Sequence, residues 1–404
     1  MNLFRPLTLG DVTIRNRIMM SPMSQREAAE DGRANDWHLV HYGSRAVGGC
    51  GLVMVEDTAV APAGRTSHAA LGLYEHAQAE SLGPIVDFCR SQGAAVGLQL
   101  AHAGRKALAD TRGAPAAASA PPPADMGEVP ATVSASPLAY GPGWVPPLEA
   151  THEDLAAVAH AFAAAARLAL DAGFDALEVH AAHGYLLHQF LSPLTNFRDD
   201  SYGVDSAGRR RLLLEVIEAI RAAWPAGRPL FVRLPAGDGE PGGLQVDELA
   251  DCARACVLAG ADLIDITGGT PLLNGRRASG ADVLALADAL IGDPHRVPRL
   301  PVALGGGVLD GVSAEQLIRD RGACLVSVGR PLLRDPYWPL RAAHELDVAP
   351  RLPPAYRLAL RGGEGEHPLA FGGAVSSSDH SKQVDDRTKM HTRLQGRMGR
   401  DRIK

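Results

Sequence analysis

No segment of the sequence is apolar over the ~20 residues a membrane span needs. The first residues, MNLFRPLTLGDVTIRNRIMM, lack a basic stretch leading into an apolar run. No membrane partner is expected, and the cytoplasm is the expected location. Basic excess is also missing. The formal net charge is −6, which sets up no field for nucleic acid. Cysteines are few and scattered: Cys50, Cys89, Cys252, Cys256 and Cys324. None has a second ligand pair at short spacing, so no structural zinc is expected and the thiols read as buried and reduced. A GxGxxG turn after the first strand is absent as well. That strand ends in SPMSQR, and GGGVLDG places Asp310 where a third glycine would stand.

What the chain has is alternation. Eight strand-like apolar runs occur at 17–23, 51–56, 95–104, 174–184, 229–237, 261–269, 300–308 and 323–330. Amphipathic helical patterns fall between them, among them Glu153–Ala172, Arg209–Ala223, Asp247–Ala259 and Ala314–Asp320. Thr151 with Asp154, and Ser313 with Gln316, have the spacing of N-terminal caps. Strands apolar on both faces argue for a parallel sheet covered by helices. Eight such units predict an α/β protein built as a single (β/α)8 TIM barrel. A doubly wound open sheet is the alternative, without its usual glycine-rich signature. The Pro- and Ala-rich stretch 111–147 reads as an excursion over the barrel mouth after the third strand. Beyond residue 361 the periodicity stops, so 1–361 is the expected domain and 362–404 an expected disordered tail.

In a barrel the C-terminal strand ends share one site. Here they carry Ser21, Pro22, Met23 and Ser24; Glu56 and Asp57; Gln99, His102 and Arg105; His180 and His183; Arg233; Thr267, Gly268 and Gly269; Gly305, Gly306 and Gly307; and Gly329 with Arg330. The glycines after the last two strands let backbone N–H groups approach an anion. Arg330 can hold it bidentately, so a phosphate is expected there. Arg233 lies in an apolar strand and needs a partner, for which an anionic group of a cofactor would serve. Gln99 offers both a donor and an acceptor. His180 and His183, three apart and followed by Tyr185, have a spacing open to a metal, a general acid or an anion. A metal would want His188 as a third ligand, and no metal is expected.

The motifs VEDTAVAPAGR, LQLAHAGRKA, GFDALEVHAAHGYLLHQFLSPLTNFRDDSYG, FVRL and SVGRPLLRDP resemble the Old Yellow Enzyme family of FMN-dependent ene-reductases. The likeness runs over residues 2 to 361 and is strongest to its thermophilic-like, bacterial xenobiotic-reductase branch. It implies FMN as cofactor and NAD(P)H as hydride donor in a ping-pong cycle. The substrate implied is an α,β-unsaturated carbonyl or nitro compound whose activated C=C bond is reduced. By the same resemblance Ser21, Pro22, Met23, Ser24 and Asp57 line the flavin ring, Gln99 bonds its pyrimidine edge, and Arg233 lies near N1 and O2. Gly306, Gly307, Gly329 and Arg330 hold the phosphate. His180 and His183 bind the substrate's electron-withdrawing group, and Tyr185 protonates the α-carbon. A homodimer or homotetramer is implied, with Arg357 or Arg361 offered as the residue reaching the neighbouring subunit.

The sequence departs from the branch at four places, one of them a helix start where Gly208 stands for an asparagine. Ser24 stands for a cysteine, Arg26 for a substrate-binding tyrosine, and Asp57 for a small residue that could now pair with Arg26. An altered flavin potential and substrate preference are expected. Two other readings compete with the ene-reductase. One is a flavin-free phosphate-binding barrel, which would want a strand-end lysine or carboxylate pair. The other is an FMN-binding protein with redirected chemistry.

Overall fold

The computed structural model describes residues 1–107, 132–268, 272, 278–292, 300–349 and 353–356. In chain order the strands are β1 (Leu7–Leu9), β2 (Val12–Ile14), β3 (Ile18–Met20), β4 (Leu52–Ala59), β5 (Ala95–Ala101), β6 (Val133–Ser134), β7 (Leu148–Glu149), β8 (Ala176–His180), β9 (Leu230–Pro235), β10 (Leu263–Thr267), β11 (Val302–Gly305) and β12 (Leu325–Val328). The helices are α1 (Asp36–Val47), α2 (His76–Ser91), α3 (His152–Asp171), α4 (Leu186–Leu191), α5 (Ser206–Ala223), α6 (Val246–Leu258), α7 (Gly280–Ile291), α8 (Gly311–Arg321), α9 (Arg330–Arg334) and α10 (Trp338–Glu345). The compact unit holding them is Met1–Leu352.

The order β3-β4-β5-β8-β9-β10-β11-β12 closes on itself, with Val326 of β12 paired to Ile18 of β3. Every barrel pair is parallel. The expected (β/α)8 barrel is therefore the fold, and the open doubly wound sheet is not. Each of the eight apolar runs supplies one barrel strand. Most strands stop two to four residues short of the run, where the chain turns into the loops at the mouth. β4 is the exception and continues to Ala59. Its register against β5 shifts between Val55 and Thr58, a bulge that re-aims Glu56 and Asp57.

Helix starts follow their caps. Thr151 accepts from Asp154 N at the head of α3, as its spacing implies. At α8 the expectation fails. Asp310, not Ser313, is the cap, and Ser313 sits at the third helical position with its N–H on Asp310. The helix thus begins at Gly311, earlier than the apolar periodicity shows.

The main core lies between barrel and helices, in residues such as Val53, Val55, Leu98, Leu177, Val232 and Val326 against Leu82, Phe162, Val216 and Leu249. Burying each such side chain contributes roughly 1.5–3 kcal/mol. A second cluster fills the bottom of the barrel: Met19, Leu52, Met54, Phe231, Leu263, Ala303 and Leu325, with Ile14 of the β1–β2 hairpin. This cluster fills the lower end, and the strand C-termini lie at the opposite one. Residues 362–404 and the start of the 111–147 excursion lie outside the described residues, as do Gly269, Arg357 and Arg361. The later part of the excursion, from Thr132, forms β6 and pairs it with β7.

Candidate active site

Most of the described strand-end residues gather at the C-terminal end of the barrel. β8 delivers His180, and the turn after it carries His183 at φ 58, a left-handed backbone that side chains other than glycine rarely adopt. Strain of this kind, ~1–3 kcal/mol, persists where surrounding contacts hold it, often at functional sites. Here the contacts are visible. Lys106 Nζ donates to His183 O at 2.8 Å. His183 Nδ1 lies 3.1 Å from His180 Nε2, and its Nε2 lies 3.2 Å from Thr267 Oγ1.

The tautomers follow. Ala182 N–H donates to His180 Nδ1 at 3.3 Å, so that nitrogen is an acceptor and the ring's proton is on Nε2. That Nε2–H donates to His183 Nδ1, which places His183's proton on its own Nε2, donating to Thr267. Burial holds both rings well below the usual imidazole pKa, with Arg233 and Lys106 adding to the effect. The pair is therefore neutral at pH 7 and presents two N–H donors. Tyr185 packs edge-on against His180, ring centroids 4.9 Å apart. Burial, with Asp57 nearby, pushes its hydroxyl above the usual phenol range, so it holds its proton.

His188 is not part of this set. Gly184 N–H donates to its Nδ1 at 2.9 Å, and its Nε2 donates to Asp238 at 2.8 Å. It fixes α4 and the loop after β9.

Arg233 rises from β9 into the barrel mouth. Its Nη2 donates to Ser21 Oγ at 3.1 Å and Thr267 Oγ1 at 3.4 Å, and its Nε is 3.3 Å from Asp265. Gln99 on β5 donates to Glu178 of β8 at 2.7 Å. Glu178 and Asp265, both fully buried, were missed by sequence reasoning. Their signal was a carboxylate two residues before His180 and before Thr267, on the same face of an otherwise apolar strand.

On the opposite side, Ser24 Oγ donates to Asp57, and Thr66 lies 3.4 Å from the same carboxylate. Asp57 is buried, and burial raises its pKa. The expected pairing of Asp57 with Arg26 is not found: Asp57 is held by hydroxyls, and no Arg26 ion pair occurs among the described residues. Arg26 itself adopts φ 60, so both strained residues of the mouth belong to predicted site positions. Glu56 turns outward to Tyr42 at 2.9 Å, and burial with the neighbouring Asp57 pushes it up to about 8.

Lys106 closes the pocket wall. Its ammonium is 4.2 Å from the Tyr140 ring centroid and 5.7 Å from that of Tyr185. Arg105 ties the wall together through Leu272 O at 2.9 Å and Leu138 O at 3.3 Å. His102 packs under Gly64.

These residues suit FMN on several grounds. Arg233 Nε and Nη1 and Ser327 Oγ are buried without a hydrogen-bond partner among the described residues. Gly306 and Gly307 have φ of 92° and 77°, and a Cβ at either would meet no atom within 4 Å, so their backbone lines open space. Gly329 caps α9 and leads into exposed Arg330. A cationic strand end, an amide and a glycine cradle thus face one opening, the donor set for an anionic ring edge and a phosphate.

Residues 2–348 match the NADH:flavin oxidoreductase / NADH oxidase family. An NADPH dehydrogenase of Geobacillus sp. (strain WCH70) is 39% identical over 345 residues, 85% of this chain and 94% of that protein. Among solved structures, a 2-naphthoyl-CoA reductase in complex with 2-naphthoyl-CoA superposes with a TM-score of 0.74 at 25% identity. That match covers 85% of this chain and 52% of the reductase, so the chain spans about half its length. Morphinone reductase superposes with a TM-score of 0.70 at 22% identity, over 93% of this chain and 96% of that one, a likeness of fold.

Proposed function

The chain belongs to the NADH:flavin oxidoreductase / NADH oxidase family, the Old Yellow Enzyme family, and from that membership we propose that it reduces the activated C=C bond of an α,β-unsaturated carbonyl or nitro compound. It is an NAD(P)H-dependent flavin oxidoreductase, with FMN as cofactor. When bound, FMN supplies the hydride exchange between NAD(P)H and the second substrate.

The rest is work for side chains. Gln99 and Arg233 take the cofactor's polar ring edge. Ser21, Pro22, Met23, Ser24 and Asp57 line the ring. Gly306, Gly307, Gly329 and Arg330 take the phosphate. The observation that carries the substrate reading is the neutral His180–His183 pair beside Tyr185. Two N–H donors can turn onto a carbonyl or nitro oxygen and stabilise the negative charge that builds there. Neutral rings donate without surrendering a proton to it. Tyr185, protonated across the working pH range, is the group left to deliver a proton to the α-carbon. Arg26, at the rim, meets the substrate's far end. We propose a cytoplasmic homodimer or homotetramer as the working form.

The test is spectroscopic. Purified protein should be yellow, bleach with NADPH under nitrogen, and regain colour with 2-cyclohexenone. Protein that bleaches but stays bleached with 2-cyclohexenone and with a nitroalkene would falsify the alkene reading and leave the flavin oxidoreductase standing.

A further inference from the structure

Beneath the pocket, four neighbouring barrel strands place one polar side chain each in the interior, in two register rows that lie two residues apart. They are Gln99 on β5, Glu178 on β8, Arg233 on β9 and Asp265 on β10. Gln99 is in register with Glu178, and Arg233 with Asp265. Gln99 donates to Glu178 at 2.7 Å, and Arg233 Nε stands 3.3 Å from Asp265. The two carboxyls meet each other. Both acids are fully buried.

The oxygen inventory is informative. Glu178 Oε2 and both Asp265 oxygens have no hydrogen-bond partner among the described residues. Two buried carboxylates in contact do not both stay ionised beside a single guanidinium. A proton held between them is the donor that remains. Burial and Asp265 push Glu178 up to about 8, while burial pushes Asp265 up to about 6 against the pull of Arg233. The other groups facing the pair are few. His180, two residues beyond Glu178 on β8 and in register with Arg233, is neutral. From β3, β4 and β11 come the apolar Met19, Met54 and Ala303.

We propose that Glu178 and Asp265 are positioning residues of the cofactor site, acting through Gln99 and Arg233 to set the reduction potential of bound FMN and its dependence on pH. The inference rests on Gln99 and Arg233 contacting FMN, as assigned above, and not on the identity of the oxidising substrate. Hydride transfer carries two electrons and one proton, so the cofactor site gains one negative charge. At neutral pH the acid pair carries one negative charge and Arg233 one positive, a balanced unit. Above about pH 8 the pair gives up its shared proton and opposes the incoming charge.

The experiment is a midpoint-potential titration of the full-length holoprotein from about pH 6 to about pH 10, with the dissociation constant of FMN measured alongside. The wild type should show a potential that falls more steeply above about pH 8. Glu178→Gln keeps an acceptor for Gln99 and loses the titration, so the steepening should disappear. Asp265→Asn removes the carboxylate beside Arg233, and burial keeps Glu178 from ionising in its place. At pH 7 it should raise the ratio of reduced to oxidised cofactor about tenfold at a fixed reference potential, ~30 mV for a two-electron couple. If Asp265→Asn does not fold, Glu178→Gln decides alone. Wild-type potential and pH slope in the folded variants would overturn the inference. Gln99→Ala and Arg233→Lys separate it from the site assignment. If they weaken FMN binding while the acid variants change nothing, the inference falls and the assignment stands. If they leave FMN binding untouched, both fall.

Discussion

The two ends of the barrel are built on the same strands and obey opposite rules. At the lower end Met19, Leu52, Phe231 and Leu263 interlock without a polar side chain. At the upper end Gln99, His180 and Arg233 are nearly as buried, yet polar, and Arg233 keeps two nitrogens without a hydrogen-bond partner among the described residues. Single strands show the change. β9 turns Phe231 and then Arg233 to the interior, and β10 turns Leu263, Asp265 and Thr267. Two residues along a strand separate a packing layer from a chemical one. The lower end gains stability from contacts already made. The upper end holds donors for a partner still to come, and its strain at His183 and Arg26 marks the same division.

The sharpest way to break this contrast is to damage the lower end. Phe231→Ala should cost about 3–5 kcal/mol of stability, since a fully buried ring leaves a cavity that the closed barrel does not collapse. Protein that still folds should keep a wild-type KM for NADPH. A loss under ~1 kcal/mol in urea unfolding would show that the plug tolerates a cavity, and the contrast between the two ends would shrink.

The complementary change is His180→Ala. Losing one of two donors should slow enone-driven recolouring about 10²–10³-fold, ~2.7–4 kcal/mol of transition-state stabilisation. NADPH-driven bleaching should hold within a few-fold, and so should thermal stability. If His180→Ala instead unfolds the protein as Phe231→Ala does, the upper end is structural too.

How much of this was legible in the chain follows the same division. The eight strands were readable because both faces are apolar, which leaves an unmistakable run. Their C-terminal limits were not, because loop residues such as Ala181 and Ala182 are as apolar as the strand before them. The pocket was readable at His180, His183, Tyr185, Arg233 and the glycines, where residue type conflicts with an apolar setting. Asp57 was placed at the mouth, but its partner was misjudged. The bulge at β4 turns its carboxylate to Ser24 and Thr66, and a bulge leaves no mark in composition. Glu178 and Asp265 escaped because a carboxylate inside a strand reads as a solvent-facing position until closure shows there is no solvent.

A smaller effect sharpens the comparison at the cradle. Gly306→Ala meets open space but must hold φ near 92°, which costs ~1–2 kcal/mol. FMN affinity should fall about tenfold, the equivalent of 1.4 kcal/mol, with kcat on saturated enzyme unchanged. An unchanged affinity would mean that this turn does not carry the phosphate.

The smallest expected effect concerns Lys106, the sole lysine before residue 382. Arginine is the cation everywhere else in the barrel. A lysine can shed its charge when buried and an arginine does not. Burial and the neighbouring Arg105 lower Lys106 to about 7. In the unfolded chain it titrates near ~10.4. Between about pH 7 and ~10.4 the unfolded state therefore binds a proton that the folded state does not, so this group's share of stability rises with pH across that window. Lys106→Met should lack that rise and should gain on the wild type most at or below pH 7. The amine keeps its hydrogen bond to His183 O when neutral, so the strained turn survives deprotonation. What goes is the cation beside Tyr140 and Tyr185, worth ~0.5–2 kcal/mol. Recolouring by enone should thus change severalfold around pH 7 in the wild type and be flat there in Lys106→Met. A wild-type profile flat through pH 7, with urea stability equally flat, would place Lys106 with the packing of the lower end and not with the chemistry of the upper.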